Sequence, residues 1–494
     1  MLKQGAVMTF MDEAVYSDET RQLRFLPAGW DTLIYVPSIA LGPLTRRHLI
    51  GLDYFQERNY YLAAALKEPY AQIIFVLSRA MEDELLDAHL DLLRRALMLS
   101  RAALARLHVL KVEQPPELSL SAALLADKRG LDRLTSLLDG RCGGFDFWTV
   151  GEDEIALSRA LDLPYIGMPA ECSGADSKAD AKRIFKQLDV RTPSDFGVFF
   201  DLLSLWKHAS AGTFSQARTL LLKLNNEEGG NGIARLRLEV DFPTEDALRQ
   251  AIVVDKSYIT LSEFEEQMAV QGALVETFLT EIVASPSVML FIDDEGDVFC
   301  LATHDQILHN SMYLGCRFPA DPTYRELVSR TGLIIGRECA REGWRGIVSV
   351  DFLWTGSGGD GDDGKLWAIE INARKGATTH PYFWTRTLTG ASYDADRGIL
   401  EVNGRQAVYR SAEYVTSPHL ADISGSQVLR LIRHAGLEYD PDTKEGVLVH
   451  MLSCVQRHRK IGVTAIAGNH DDADRYIRDL ERIIADPASE LCAS

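Results

Sequence analysis

AIEINARKG, residues 368–376, is an apolar run broken at every second position by a polar side chain: Glu370, Asn372 and Arg374. On a strand, side chains alternate with period two, so these three project to one face. A carboxylate and a carboxamide two residues apart offer oxygen ligands to a hard cation, and Mg²⁺ prefers that chemistry when it also bridges phosphates. Asp351 lies in the preceding run, GIVSVDFLW (346–354), one hairpin before KLWAIEIN (365–372), and can add a second carboxylate. Arg374, one step further along the face, can hold a phosphate oxygen through a charge-assisted bond. Alone, Glu-x-Asn reads equally well as a solvated sheet face with cross-strand ion pairs.

Upstream segments add weight to the phosphate reading. Lys223 sits inside the apolar run TLLLKLN (219–225), where a lone lysine is costly unless it meets water or an anion. With IARLRLEV (233–240) that run forms a hairpin whose tip contains Gly229, Gly230, Asn231 and Gly232. Glycine there lets backbone N–H groups approach phosphates closely; taken singly, it also reads as a flexible hairpin tip. Lys178 opens a helix, SKADAKRIFKQLDV (177–190), capped by Asp176 or Ser177 and stopped at Thr192-Pro193. It is equally an ordinary surface lysine. ALVETFL (273–279) is an apolar segment interrupted by Glu276. As an extended hinge, Glu276, Thr277, Phe278 and Leu279 can offer backbone groups to a base edge and an apolar wall to its face. Glu281 follows, within reach of ribose hydroxyls.

Composition bounds the rest. The chain has 494 residues, 46% hydrophobic and 25% charged, which is ordinary for a globular protein of about three domains. Lys plus Arg is 52 against 71 for Asp plus Glu, a net charge of −19. That excess disfavours nucleic acid and other broad anionic partners. No apolar run approaches the length of a membrane span, and the N-terminal MLKQGAVMTFMDEAVYSDE does not read as a secretory signal. Seven scattered cysteines without a C-x-x-C fit a reducing cytoplasm better than a disulfide framework or a zinc ribbon.

Residues 1–170 read as an α/β unit, with buried strands at LIYVPSI (33–39) and QIIFVLS (72–78) and a long helix at 83–104. Gly42-Pro43 is a turn rather than a dinucleotide fingerprint, so a Rossmann-like platform without its own nucleotide is expected. Further strands are expected at 287–293, 297–305, 445–452 and 461–468, and helices at 326–343, 427–440 and 472–486. Asp360, Asp362 and Asp363 imitate a calcium loop but lack its closing glutamate, and read as a hairpin tip.

The ordered set Lys178, Lys223, glycine-rich loop, Glu276 hinge, Asp351 and Glu370-x-Asn372-x-Arg374 resembles the ATP-grasp superfamily over about residues 175–390. A narrower likeness is carried by YVPSI (35–39), GLDYFQERNYYLAAAL (51–66), SPSVMLFI (285–292), THDQIL (303–308), YLGCRFPAD (313–321), EINARKGATTHP (370–381) and VLVHML…KIGVTAIA (447–467), which look like the pheganomycin-type peptide ligases. The resemblance implies an α/β and α+β architecture. A Rossmann-like pre-ATP-grasp domain (1–172) would precede a two-subdomain ATP-grasp core (173–272 and 273–400) and a small α/β C-terminal domain (401–494). After Leu279, this chain has Thr280-Glu281-Ile282 where many ATP-grasp proteins have a glycine turn.

The activity implied is ATP-dependent joining of a carboxylate to an amine through an acyl phosphate, with ATP and Mg²⁺ required. Asp351, Glu370 and Asn372 would hold the metal, and Lys178, Lys223 and the glycine loop the phosphates. Arg374, with Lys223, would stabilise the transferring phosphoryl group or the oxyanion. Substrate contacts are sought in THDQIL…YLGCRFP, at His304, Asp305 and Arg317, and at Lys375. Arg317 clamps a carboxylate in one reading and makes a structural ion pair in the other. His450, among apolar residues, is expected in a core. The partners expected are small-molecule or peptide carboxylates and amines, with a homodimer as an optional assembly. A kinase or thiol-acceptor ligase of the same fold, and a non-catalytic ATP-binding regulator, are the rival functions.

Overall fold

The computed structural model describes residues 25–238, 242–356 and 364–485. The N-terminal stretch weighed as a signal, Glu239-Val240 at the end of an expected strand, and the loop bearing Asp360, Asp362 and Asp363 lie outside these residues.

The first sheet is wholly parallel. Its strands run in the order Leu107–Val112, Gln72–Ser78, Thr32–Val36, Gly143–Phe147, Tyr165–Ile166. Gln72–Ser78 and Thr32–Val36 are buried at every position, as strands covered on both faces must be. The chain leaves Thr32–Val36 in one direction and returns on its other side at Gly143–Phe147, so the crevice beyond these two strands is the switch point. One expected helix is two. Met98, with φ of 53°, ends Asp83–Leu97, and Ser100 caps Arg101–Leu104 by accepting from Ala103 N–H at 3.1 Å. Between the first two strands runs a buried 3-10 helical segment, Leu52–Lys67, kinked at Asn59.

The second sheet is antiparallel, in the order Asp195–Phe199, Ala273–Thr277, Thr219–Leu224, Ile233–Arg237, Ile252–Val254. Helix Lys178–Gln187 is capped by Ser177, which accepts from Asp180 N–H at 3.1 Å. The glycine hairpin forms in register from Thr219 opposite Arg237 to Lys223 opposite Ile233. Strand Ala273–Thr277 belongs to this sheet, so the boundary expected at residue 272 is crossed by it.

The third sheet has eleven strands among the described residues. Gly346–Thr355 and Lys365–Asn372 form a hairpin at one end. Pro286–Ile292, Val298–His309 and Met312–Phe318 continue it, and Met312–Phe318 pairs with Arg405–Thr416. Lys460–Ala467 and Gly446–His450 follow beyond that strand. The division expected at residue 400 therefore cuts through one continuous sheet. One face, with Val288, Leu290, Val348 and Val350, packs with Val328 and Ile335 of helix Arg325–Arg341. The other, with Met289, Ala302, Cys316 and Phe318, joins a core containing Tyr60, Tyr382 and Trp384. No helix among the described residues is long and apolar enough to cross a membrane.

Candidate active site

The hairpin Gly346–Thr355/Lys365–Asn372 sets Asp351 directly opposite Glu370 and Ser349 opposite Asn372. Alternation then puts both carboxylates and the carboxamide on the face also occupied by Met289 and Cys316. Asp351 accepts from Gln306 Nε2 at 2.6 Å and from Asn372 Nδ2 at 3.1 Å. Burial, and then the facing Glu370 charge, push the Asp351 carboxyl up to about 7. Two carboxylates and two carboxamides are hard oxygen donors, and the mutual repulsion of the acids is what a divalent cation relieves, so the set fits Mg²⁺. Gln306 escaped the sequence reading because a glutamine on a neighbouring strand carries no motif.

Cations ring this pair. Lys178 Nζ lies 3.2 Å from Glu370 Oε1 and donates to Glu227 O at 2.5 Å. Arg374 reaches Asp176 Oδ2 at 3.4 Å and Glu228 Oε1 at 3.8 Å. The Glu228 carboxylate thus sits against Arg374, and burial pushes its carboxyl up.

The glycine loop is docked on the first domain. Glu227 accepts from Leu44 N–H at 3.1 Å and Thr45 N–H at 2.9 Å, and Glu228 from Gly42 N–H at 3.1 Å. Asn231 Oδ1 accepts from Tyr258 OH at 2.8 Å. The approach demands glycine at two places. A Cβ on Gly42 would meet Asn226 O at 2.1 Å, and one on Gly230 (φ 77°) would meet Ser311 O at 2.4 Å.

Lys223 does not point freely to solvent. It pairs with Glu276 Oε1, while Lys182 Nζ, missed in the sequence, lies 2.8 Å from Glu276 Oε2. Lys182 also donates to Thr192 Oγ1 at 2.7 Å and Pro193 O at 2.8 Å. Burial raises the Glu276 carboxyl, but the two ammonium groups outweigh it and hold it below its ordinary range. Glu276 is therefore an ion-pair centre rather than a hinge side chain turned to a base. Thr277 N–H goes to Ser194 O at 2.8 Å and Phe278 N–H to Thr219 O at 3.0 Å, so both donors are spent within the sheet. Arg235 covers the Phe278 ring at 4.9 Å. Glu281 is exposed, with φ of 59°.

All four residues expected to touch the organic substrate have partners within the fold. His304 is fully buried and shares a 2.6 Å hydrogen bond with Tyr409 OH; burial lowers its pKa to about 3. Asp305 fastens the following loop, accepting from Tyr324 OH at 2.7 Å and Asp321 N–H at 2.8 Å. Arg317 makes the structural ion pair: Asp474, on helix His470–Ala485, holds Arg317 at 2.7 Å and Arg410 at 3.0 Å. Lys375 turns into the first domain, onto Asp146 and, at 2.6 Å, Phe147 O. His304, Arg317 and Lys375 have partners more than a hundred residues away in sequence, whereas those of Asp305 lie in the loop that follows it. His450 is buried, with Nε2 2.8 Å from Thr464 Oγ1, as expected.

Fold and site together define a nucleotide-grasping architecture. Two family models match: an IQCH-like ATP-grasp model over residues 235–378 and a PGM1 C-terminal domain model over residues 427–480. Among solved structures, biotin carboxylase from Campylobacter jejuni aligns at a TM-score of 0.55 and 13% identity, covering 91% of this chain and 90% of that one. N5-carboxyaminoimidazole ribonucleotide synthetase from Thermus thermophilus aligns at 0.51 and 15%, covering 92% and 98%. At such identities the likeness is one of fold. The chain is thus similar to ATP-grasp proteins in fold and, over residues 235–378, matches an ATP-grasp family model. A curated relative, L-propargylglycine–L-glutamate ligase of Streptantibioticus cattleyicolor, is 29% identical over 452 residues, 88% of this chain and 90% of its own.

Proposed function

We propose that the chain is an ATP-dependent carboxylate–amine ligase that works through an acyl phosphate, releasing ADP and phosphate. The observation that carries this is the Asp351–Glu370 pair ringed by Lys178 and Arg374 beneath a glycine loop. A regulator that never turned over ATP would have no use for two facing carboxylates. Lys178, Lys223 and Gly229–Gly232 attend the phosphates, and the segment from Leu279 to Glu281 attends the base and ribose. Mg²⁺, held by Asp351, Glu370 and Asn372, supplies charge neutralisation at the phosphates when bound.

A free carboxylate and an ammonium do not condense in neutral water. The carboxylate oxygen attacks the γ-phosphorus, the bond to the bridging oxygen breaks, and ADP leaves. The amine nitrogen then attacks the acyl carbon, sheds a proton, and phosphate departs with the broken C–O bond. Arg374 faces charge that builds on the transferring phosphoryl group. The substrates are small-molecule or peptide carboxylates and amines. The relative's name pairs two amino acids, so amino acids come first. A reducing cytoplasm suits the scattered cysteines. The test is a screen of carboxylate and amine pairs with ATP, read by chromatography of the spent nucleotide. ADP and phosphate are expected only when both organic substrates are present; AMP and pyrophosphate would replace this route with an adenylate one.

A further inference from the structure

Behind the loop that follows Arg374 lies a buried charge cluster that the reaction outlined above does not use. Arg58 pairs through Nη2 with Glu413 Oε2, and both side chains are 3% exposed. Arg58 Nε and Glu413 Oε1 have no hydrogen-bond partner. His380 Nε2 is 3.5 Å from Glu413 Oε1, and neither ring nitrogen of His380 is hydrogen-bonded. The guanidinium is held flat, 3.4 Å above the Phe55 ring and 5.6 Å from Trp148. Its own carbonyl accepts from Trp384 Nε1 at 3.0 Å, so the backbone is pinned as well.

A buried ion pair that exists for stability spends its donors and acceptors, because each unmade bond leaves a desolvation penalty standing. Here one guanidinium N–H, at Nε of Arg58, and one carboxylate oxygen, Oε1 of Glu413, remain unspent within one ion pair. A ligand that satisfies both carries an anion and a cation on neighbouring atoms. A polyphosphate would find Arg58 but be repelled by Glu413; a simple amine would meet the reverse.

The position suits a substrate. Trp148 O accepts from Lys375 N–H at 3.1 Å, which puts the cluster one layer behind the residue after Arg374. Trp148 also follows Gly143–Phe147 at the switch point of the first sheet. On the third sheet, cross-strand neighbours lead from one site to the other. Gln306, bonded to Asp351, lies opposite Cys316, which lies opposite Ser411, two residues before Glu413. The Ser411 hydroxyl is buried and unpartnered too.

We propose that Arg58 and Glu413 form the receptor for the head group of an α-amino-acid substrate, Arg58 taking the α-carboxylate and Glu413 the α-ammonium. This rests on the ligase reading and assigns one of its substrates a class and a place.

The test measures ADP release by the full chain with ATP, Mg²⁺ and the proteinogenic L-amino acids, singly and in pairs. Arg58→Lys and Glu413→Gln are then compared with wild type. Each should raise KM for the same single amino acid by about tenfold or more and leave KM for ATP unmoved, since a ground-state contact away from the nucleotide is lost. Folded variants that keep wild-type KM for every amino acid overturn the proposal. Where both single variants lose cooperative melting, the reversed pair Arg58→Glu/Glu413→Arg decides. Recovered folding with a raised amino-acid KM supports the receptor, and recovered folding with a wild-type KM overturns it. Wild type that releases ADP with other carboxylate–amine pairs but never with an amino acid refutes the receptor alone. Wild type that releases ADP with no pair removes the ligase reading, and the receptor with it.

Discussion

Glu227 grips Thr45 twice, taking its backbone N–H at 2.9 Å and its hydroxyl at 2.8 Å. These residues belong to different sheets' domains, so the bond pair latches the glycine loop to the first domain. A hydrogen bond to a charged group is worth about 1.5–3 kcal/mol, and about 1.4 kcal/mol is a tenfold change in an equilibrium. Thr45→Val, which keeps the shape and deletes the hydroxyl, should make the nucleotide-free loop about tenfold or more easier to cleave in limited proteolysis. An unchanged cleavage rate would show that the loop is held by something else.

Removing either member of the facing acid pair should stop turnover without unfolding the chain. Asp351→Asn and Glu370→Gln are expected to lower kcat/KM by roughly 100-fold or more, because Mg²⁺ favours charged oxygen ligands. Thermal melts check the fold and ADP release checks the rate. Wild-type ATP consumption in both variants would relocate the metal.

Glu276 pairs with both Lys182 and Lys223, and all three side chains are buried. Deleting it leaves two buried ammonium groups without the carboxylate they share. Glu276→Ala should cost about 3–5 kcal/mol of stability, read by chemical denaturation. Lys182→Met should cost less, since Lys223 still balances the carboxylate. Equal losses would mean that Lys182 is the indispensable partner.

Two buried carboxyls contribute to the pH response. Burial raises Glu57 to about 7, although Ser453 N–H donates to it at 3.1 Å, and Asp351 is likewise raised to about 7. Unfolded, these groups titrate near 4. A raised carboxyl contributes its stability below the unfolded pKa and loses it as pH climbs through the folded one. The stability these two carboxyls contribute to metal-free protein should therefore fall as pH rises from about 4 to 7. Glu57→Gln and Asp351→Asn should each flatten that slope, and an unaltered slope in the double variant would place the titration elsewhere.

Of the two readings of Arg317, the ion pair with Asp474 favours the structural one. Its guanidinium is 43% exposed and paired with Asp474, so Arg317→Ala should cost no more than about 1 kcal/mol and leave every KM for organic substrates at the wild-type value. A raised KM would return Arg317 to the substrate site.

What the sequence revealed followed how local each signal was. The period-two pattern of Glu370 and Asn372 is written within three residues, and the hairpin opposite Asp351 within twenty-odd, so both were legible, while Arg374 stands beyond the strand end at Asn372. The Ser177 cap and the glycine hairpin were legible for the same reason. His304, Arg317 and Lys375 were misread because what occupies them, Tyr409, Asp474 and Asp146, comes from over a hundred residues away. Lys182 and Gln306 were overlooked because neither stands at a position with a pattern. The boundaries at 272 and 400 were misplaced because sheet membership depends on pairing, which composition does not record.

The pairing of Met312–Phe318 with Arg405–Thr416 bears on how this chain can be rebuilt. Ending it near residue 400 would strip a neighbour from Met312–Phe318 and bare a long row of amide and carbonyl groups, an invitation to aggregation. Chimeras that exchange the C-terminal part between relatives would have to splice mid-sheet, matching register across a foreign seam. Substrate scope is better redrawn by point changes, since here the tail is a plank of the same floor rather than an attachable module.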